Sequence, residues 1–210
     1  MQKPATMREL EELGRVRLSK SFFMRNFLHS EISNFHAIPN IPDDPDLAIA
    51  AGRKLCGEIL EPLRATFGDL AIRSSYRSAE VNGFGHENGL SCADNETNAS
   101  RHIWDRRDAE GHMGAMACIV VPWFADRYAE GAARDLDWRA MAWWVHDHLA
   151  YNVMHFMPKL GAFNVAWHEN PIRRITSAVA PEGVLTEPGM DNHGGSHAEF
   201  YPGFPELKAG

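Results

Sequence analysis

The stretch 98–121, NASRHIWDRRDAEGHMGAMACIVV, constrains the fold most, because its first part is polar and its last residues are apolar. It opens on a Ser-x-His triplet ending at His102, passes through a charged insert, and leads Cys118 into a β-branched run. Such a run predicts a buried strand. Imidazole and thiolate both bind zinc, and a ligand that enters a buried strand is held rigidly. The stretch therefore predicts a core strand and two candidate metal ligands.

The composition is that of an ordinary globular chain. Its 210 residues are 44% hydrophobic and 23% charged, which suits one domain with a real core. A net charge of −7 argues against a nucleic-acid-binding surface, and no apolar run is long enough to span a membrane. The first residues lack the apolar core of a secretory signal, so we expect a cytoplasmic protein. Three cysteines without a CxxC pair do not predict a disulfide scaffold, and the oligomeric state stays open.

Hydrophobic spacing predicts the main elements. Apolar residues recur at helical spacing over 47–67, up to Gly68, and over 137–151, with weaker helical patterns at 7–13 and 21–29. Short strands are predicted at 70–72, 119–121 and 164–167. The segments rich in Pro, Gly, Asn and Asp, 37–46 and 83–98, are predicted to be loop. The chain after Pro171 shows little periodic pattern.

Three residues at the edges of predicted strands form a candidate metal site. His102, Cys118 and His168 are far apart in sequence, but a sheet can bring strand ends together. Three protein ligands with one open position is the arrangement of a catalytic zinc ion. The alternative is that Cys118 is a small buried hydrophobe, as free cysteines often are.

Other polar residues have weaker claims. Arg77 follows a predicted strand, and its guanidinium can either fork onto a substrate carboxylate or form a structural ion pair. Glu169 is a candidate general base, although it neighbours His168 and adjacent strand residues point to opposite faces. His146 and His148 lack the i,i+4 spacing of a zinc-binding helix and are predicted to lie mostly on the surface.

Three motifs follow one another: SSYRS at 74–78, Ser-Arg-His at 100–102 with GAMAC at 114–118, and Trp167-His168. Their order resembles that of the D-alanyl-D-alanine carboxypeptidase-like zinc peptidases, in which S-G-Y-R-S precedes S-x-H-x-x-G-x-A-x-D and a final Trp-His or Trp-x-His. These include peptidoglycan carboxypeptidases, phage endolysins and, by fold, the hedgehog signalling domain. The likeness covers roughly residues 19–175.

The resemblance implies an α+β domain over 19–175 with a small, mostly antiparallel sheet packed with helices. Residues 1–18 would be an N-terminal extension and 176–210 a loop-like tail. It also implies zinc ligands at His102 and His168, with Arg77 and Ser100 facing the carboxylate end of the substrate.

Two positions depart from the family pattern. Cys118 stands where the family has a ligand aspartate, and Val165 stands where it usually has its catalytic acid. Loss of that acid should slow hydrolysis by about 10²–10⁴-fold. The missing acid could be replaced by another carboxylate: Glu169, Asp105 or Glu110. His112 could replace a lost ligand.

These patterns support three hypotheses. The first is a divergent zinc-peptidase-like hydrolase that acts on a peptide or amide bond, in a small peptide or a cell-wall-like substrate. The second is a catalytically degenerate family member that binds a ligand or partner without turnover. The third is a non-haem iron enzyme, which rests on the HxxD spacing of His102 and Asp105.

Overall fold

The computed structural model describes residues 1–129 and 136–208, and they form an α+β protein. Its α-helices are α1 (Met7–Gly14), α2 (Glu31–His36), α3 (Pro45–Leu55), α4 (Glu61–Phe67), α5 (Ala79–Glu87), α6 (Asn95–Asn98), α7 (Pro122–Ala129) and α8 (Trp138–His148). Its strands are β1 (Ala71–Ser74), β2 (Gly114–Val120), β3 (Val153–Phe156), β4 (Phe163–His168), β5 (Arg174–Ser177) and β6 (Gly183–Thr186). Short 3-10 turns occupy Met24–Phe27, Asp191–His193 and Ala198–Phe200. None of the described helices is long and apolar enough to cross a membrane.

The strands form one mixed sheet in the order β1-β2-β4-β3-β5-β6. β3 pairs antiparallel with β4, where Met154 lies opposite Val165, and parallel with β5, where Met154 lies opposite Ile175. β5 pairs antiparallel with β6, with an irregular register at Ile175 and Thr176. The predicted α+β class is confirmed. The prediction of a small, mostly antiparallel sheet is wrong, because the sheet has six strands and β5 runs parallel to β3.

The chain divides into two compact units. The first contains residues 1–57 and 74–117, and the second contains 58–73 and 118–210. The largest fully buried side chains of the first unit are Leu13, Met24, Phe27, Leu55, Tyr76 and Trp104. Those of the second unit are Phe124, Trp138, Trp144, Tyr151, Phe156 and Phe163. The predicted division at residues 18 and 175 stays a prediction, and the internal contacts group the chain differently.

The helix predicted over 47–67 is two α-helices joined by a π turn. Asp44 caps α3 by accepting a hydrogen bond from the Leu47 amide, and Pro45 occupies the first turn. The π turn covers Cys56–Leu60, just before Pro62. Proline lacks the amide hydrogen that a continuous α-helix would use, so the hydrogen bonds there follow the wider π pattern. Gly68, with φ 91°, ends α4 as predicted.

Part of the segment predicted to be loop is helix α5. Ser78 begins it, with its side chain accepting a hydrogen bond from the Val81 amide. Glycine in this helix serves packing: a Cβ on Gly85 would lie 2.5 Å from Cys92 Sγ and 2.9 Å from Ile32 Cδ1. Gly85 therefore allows close packing of the helix against Cys92 and Ile32 and does not indicate a loop.

Two other expectations need correction. The helix predicted over 21–29 is only the 3-10 turn Met24–Phe27. The tail over 176–210 is not loop-like throughout, because it contains β6 and two 3-10 turns. Four-residue strands such as β3, β5 and β6 are too short to show a two-residue period. The helices predicted at 7–13 and 137–151 are confirmed.

Gly52 offers a test of packing in the first unit. A Cβ there would lie 2.8 Å from Trp104 Cζ3 and 3.1 Å from Leu18 Cδ1. Gly52→Ala should lower the free energy of unfolding by about 1–3 kcal/mol, because overpacking outweighs the helix propensity of alanine. The control is Gly57→Ala, whose Cβ would meet nothing within 4 Å. Urea unfolding should show the first variant destabilised and the second not, and equal midpoints would contradict the packing argument.

Candidate functional site

His102 is buried, and only one of its ring nitrogens is engaged within the described residues. The side chain is 5% exposed, and Nδ1 lies 2.7 Å from the carbonyl oxygen of Ser75. A carbonyl only accepts, so Nδ1 carries the hydrogen and Nε2 keeps its lone pair. Burial, with the positive charge of Arg77, lowers the pKa of His102 to about 3. The imidazole is therefore uncharged at neutral pH, with Nδ1 held in the way that backbone carbonyls orient metal-binding histidines.

The backbone before His102 is in an unusual conformation. Ser100 has φ 55°, in the left-handed region, and is 3% exposed. Its amide donates to the carbonyl of Arg106 at 2.8 Å, while the carbonyl of Arg101 accepts from Met116 at 3.0 Å. Left-handed residues other than glycine cost energy and persist where surrounding contacts fix them, often at functional sites. The Ser-x-His triplet is thus held as a tight turn beside β2.

Arg77 is half-buried and contacts neutral groups. Its Nη1 donates to Asn82 Oδ1 at 3.4 Å and lies 3.2 Å from Cys92 Sγ. Asn82 is itself fixed, since its amide donates to Asn95 Oδ1 at 2.8 Å and its carbonyl accepts from Asn98 at 2.9 Å. Within the described residues the guanidinium does not pair with a carboxylate, so the structural ion pair is not observed. Its role toward a substrate stays a prediction.

Asp105 is a buried carboxylate that anchors the segment 37–46. Its Oδ2 accepts from the backbone amides of Asp43 at 2.6 Å and Asp44 at 3.4 Å, and its Oδ1 accepts from the Tyr76 hydroxyl at 3.2 Å. Burial raises the pKa of Asp105 despite these hydrogen bonds. Because both oxygens are engaged by the protein, the geometry favours a structural role over that of a substitute acid or iron ligand.

The other predicted site residues lie in the second unit. Cys118 is 3% exposed in an apolar cluster with Val120 and Ala162, and its Sγ lies 3.9 Å from Met157 Sδ. This packing agrees with the alternative that Cys118 is a small buried hydrophobic residue.

His168 is half-buried at the end of β4, with Nδ1 2.9 Å from the carbonyl oxygen of Asn170 and 3.1 Å from its amide nitrogen. Glu169 follows and is exposed, whereas Val165 is fully buried within β4. His102 belongs to the first unit, and its predicted joint site with Cys118 and His168 stays a prediction.

A second candidate metal centre lies in the insert between His102 and β2. Asp108, Glu110 and His112 each offer one ligand atom, and in the described part of the chain these atoms lie within 4.8 Å of one another. His112 Nδ1 is 3.7 Å from Asp108 Oδ1 and 3.8 Å from Glu110 Oε2. Asp108 Oδ1 also accepts from the backbone amides of Glu110 and His112. Sequence analysis named Glu110 as a substitute acid and His112 as a substitute ligand, but it did not predict that the two lie together with Asp108.

No family model, curated protein or solved structure matches the chain. The resemblance in motif order therefore rests on the residues of this sequence alone. Any function has to be inferred from the geometry of its own side chains.

One group of histidines was missed by the sequence. His146, predicted to be mostly on the surface, is 4% exposed, so that prediction is wrong. Its Nε2 donates to the carbonyl of His193 at 2.9 Å, and its Nδ1 accepts from the Tyr151 hydroxyl at 2.7 Å. Burial lowers the pKa of His146, which agrees with this neutral form. Residues 191–208 pack over the polar side of α8. The helical periodicity of α8 alone does not indicate that His146 on this side is buried.

Proposed function

We propose that the chain is a divergent zinc-dependent hydrolase that cleaves a peptide or amide bond in a small peptide or cell-wall-like substrate. Its fold would be a variant of the D-alanyl-D-alanine carboxypeptidase-like peptidases. The observation that supports this is the state of His102: buried, uncharged and oriented through Nδ1 by the Ser75 carbonyl. A histidine can bind zinc only through an unprotonated nitrogen, and Nε2 of His102 meets this requirement.

The remaining ligands are proposed from the motif order. His168 is proposed because it stands at the Trp-His position of the motif order, at the end of β4. Cys118 is less favoured because its sulfur packs against Met157 in an apolar cluster. When bound, zinc would polarise the scissile carbonyl and lower the pKa of its water.

The residues of the chain would position the substrate. Arg77 would bind the carboxylate end of the peptide, and its contact with Asn82 limits the directions its guanidinium can take. Ser100 would face the same end from the tight turn before His102. Glu169 is exposed directly after β4 and would be the proton acceptor.

One observation favours the alternative, a member that binds a ligand without turnover. Val165 stands at the position of the family acid and is fully buried. A buried valine neither takes up a proton nor leaves space for a carboxylate at that point. Turnover, and not metal content, separates the two proposals.

Metal analysis beside a peptidase assay tests the proposal. We expect wild-type protein, supplied with zinc, to hold about one zinc ion per chain. His102→Asn keeps a donor for the Ser75 carbonyl but lacks Nε2, so it should fold, lose the zinc and lose hydrolysis of small peptides. The matched control, His112→Asn, removes a histidine of the insert and should keep both.

Three outcomes would overturn the metal site at His102. They are no zinc in the wild type, zinc retained in the His102 variant, or zinc lost only in the His112 variant. The last result would assign the metal to Asp108, Glu110 and His112. Zinc lost with His102 but no turnover by the wild type would establish the binding alternative.

A further inference from the structure

A pocket of about 550 Å³ lies within the second unit, between α7, the start of α8 and the chain at 199–204. Pockets that bind small molecules commonly have volumes of this order, and they combine apolar walls with a few polar groups. Here aromatic side chains form part of the wall, and four charged side chains face the same space. The arrangement of these charges indicates which class of ligand the pocket would take.

The aromatic wall is built on a tight turn. The Phe204 amide donates to the Tyr201 carbonyl at 3.2 Å, and Gly203, which follows a proline, has φ 78°, as in a type II turn. The Phe204 ring packs edge-on against Trp123, with centroids 5.1 Å apart and planes at 80°. Phe200, at the other end of this wall, is 41% exposed. Its ring therefore keeps apolar surface that a flat apolar ligand could cover.

Arg127 is an oriented cation on the α7 side of the pocket. Its guanidinium carbon lies 3.9 Å from the centre of the Trp123 ring, and its Nη1 donates to the Trp123 carbonyl at 2.9 Å. These are its contacts in the described part of the chain, and neither partner is a carboxylate. An arginine stacked on an aromatic ring has its N–H groups in one plane, so Nε and Nη2 remain as a fork for an anion.

The other three charges do not replace that anion. Arg139 is already paired with Asp137, since its Nε and Nη2 lie 2.8 and 2.5 Å from Asp137 Oδ2. Asp137 also accepts from the Arg139 amide at 2.8 Å as the cap of α8, so both its oxygens are engaged. Glu199 is exposed, and water screens its charge. Half-buried Arg127 is thus the charge that lacks a close counter-charge among the described residues.

We propose that this pocket binds a small aromatic carboxylate. The carboxylate would form paired hydrogen bonds with Arg127, and the aromatic ring would pack against Phe200 and Phe204. Binding would neutralise a half-buried cation and cover the exposed Phe200 ring in one step. The proposal does not depend on the hydrolase proposal.

Three probes of nearly the same shape test the required charge: phenylacetate, its neutral amide phenylacetamide, and the cation 2-phenylethylamine. Each is titrated into the full-length protein and followed by nuclear magnetic resonance of the Trp123 indole and Arg127 Nε–H signals. Phenylacetate should bind with a Kd of about 1 mM or below, and the other two at least about tenfold more weakly. Acetate has no ring and should not bind at these concentrations.

Variants test the two halves of the pocket separately. Arg127→Gln keeps a donor for the Trp123 carbonyl but lacks the charge and the fork, so it should bind phenylacetate no better than phenylacetamide. Phe200→Ala replaces an exposed ring, so it should fold and also bind phenylacetate more weakly. The matched control, Arg73→Gln, removes an exposed arginine of β1 that does not line the pocket and should bind like the wild type. Thermal unfolding checks that each variant is folded.

Several results would overturn the proposal. They are no binding of phenylacetate at about 10 mM, equal affinity for the three probes, or unchanged affinity in Arg127→Gln or Phe200→Ala. Tighter binding of 2-phenylethylamine than of phenylacetate would also overturn it, because Glu199 would then be the charge that selects the ligand.

Discussion

Replacing Trp104 by alanine should lower the free energy of unfolding by about 3–5 kcal/mol. The indole is fully buried, with its ring centroid 5.2 Å from that of Phe27 and 6.2 Å from that of Tyr76. Its Nε1 donates to the Met116 carbonyl at 3.1 Å. Alanine would remove both the packing and the hydrogen bond, leaving a cavity in the first unit.

Trp104→Phe separates those two contributions. It keeps an aromatic ring, and the Met116 carbonyl still accepts from the Ser75 hydroxyl at 3.1 Å. We expect this variant to lose only about 1–2 kcal/mol. Urea unfolding followed by tryptophan fluorescence and circular dichroism gives both values. Equal losses in the two variants would show that the hydrogen bond, and not the packing, is what matters.

Asp105→Ala should cost about 2–4 kcal/mol, because it leaves buried donors without an acceptor. These donors are the Asp43 amide and the Tyr76 hydroxyl. Asp105→Asn can accept from the amide and donate to the tyrosine oxygen, so it should cost much less. In thermal unfolding, the wild type should be the most stable, the asparagine variant second and the alanine variant the least stable. An alanine variant as stable as the asparagine variant would contradict the anchoring role.

The same residue gives the stability a pH dependence of known sign. Burial raises the pKa of Asp105 above its ordinary value of 3.8, so the folded state binds the proton more tightly than the unfolded state. Its contribution is full below pH 3.8 and is lost as the pH rises through the folded pKa. Relative to Asp105→Asn, the wild type should therefore lose stability between pH 4 and neutrality. A constant difference would contradict the raised pKa.

The sequence predicted two long helical regions and strands at the positions of β1, β2 and β4, but it missed β3, β5 and β6. The periodicity of 47–67 and 137–151 extends over several turns, and both regions are helical. β3, β5 and β6 have four residues each, too few for a period. The parallel pairing of β3 with β5 depends on partners that local sequence does not contain.

The candidate site shows the same division between local and distant signals. The Ser-x-His triplet singled out His102 from sequence, because a polar triplet before a buried strand is a local pattern. Its partner carbonyl belongs to Ser75, 27 residues away. The pairing of Asp147 with His197 joins residues 50 apart, and only the folded chain brings them together.

The buried imidazole of His102 changes how acid would act on a bound metal. A histidine ligand usually gives up a proton when metal binds, so acid competes for the same nitrogen. With its pKa lowered to about 3, His102 has no such proton to release in weak acid. The unfolded chain does take one up, near the ordinary histidine pKa of 6.5, so stability falls as the pH drops from 6.5 toward 3. Between pH 6.5 and pH 3, acid would thus act on a metal at His102 by lowering the stability of the fold around it, and not by protonating the ligand nitrogen.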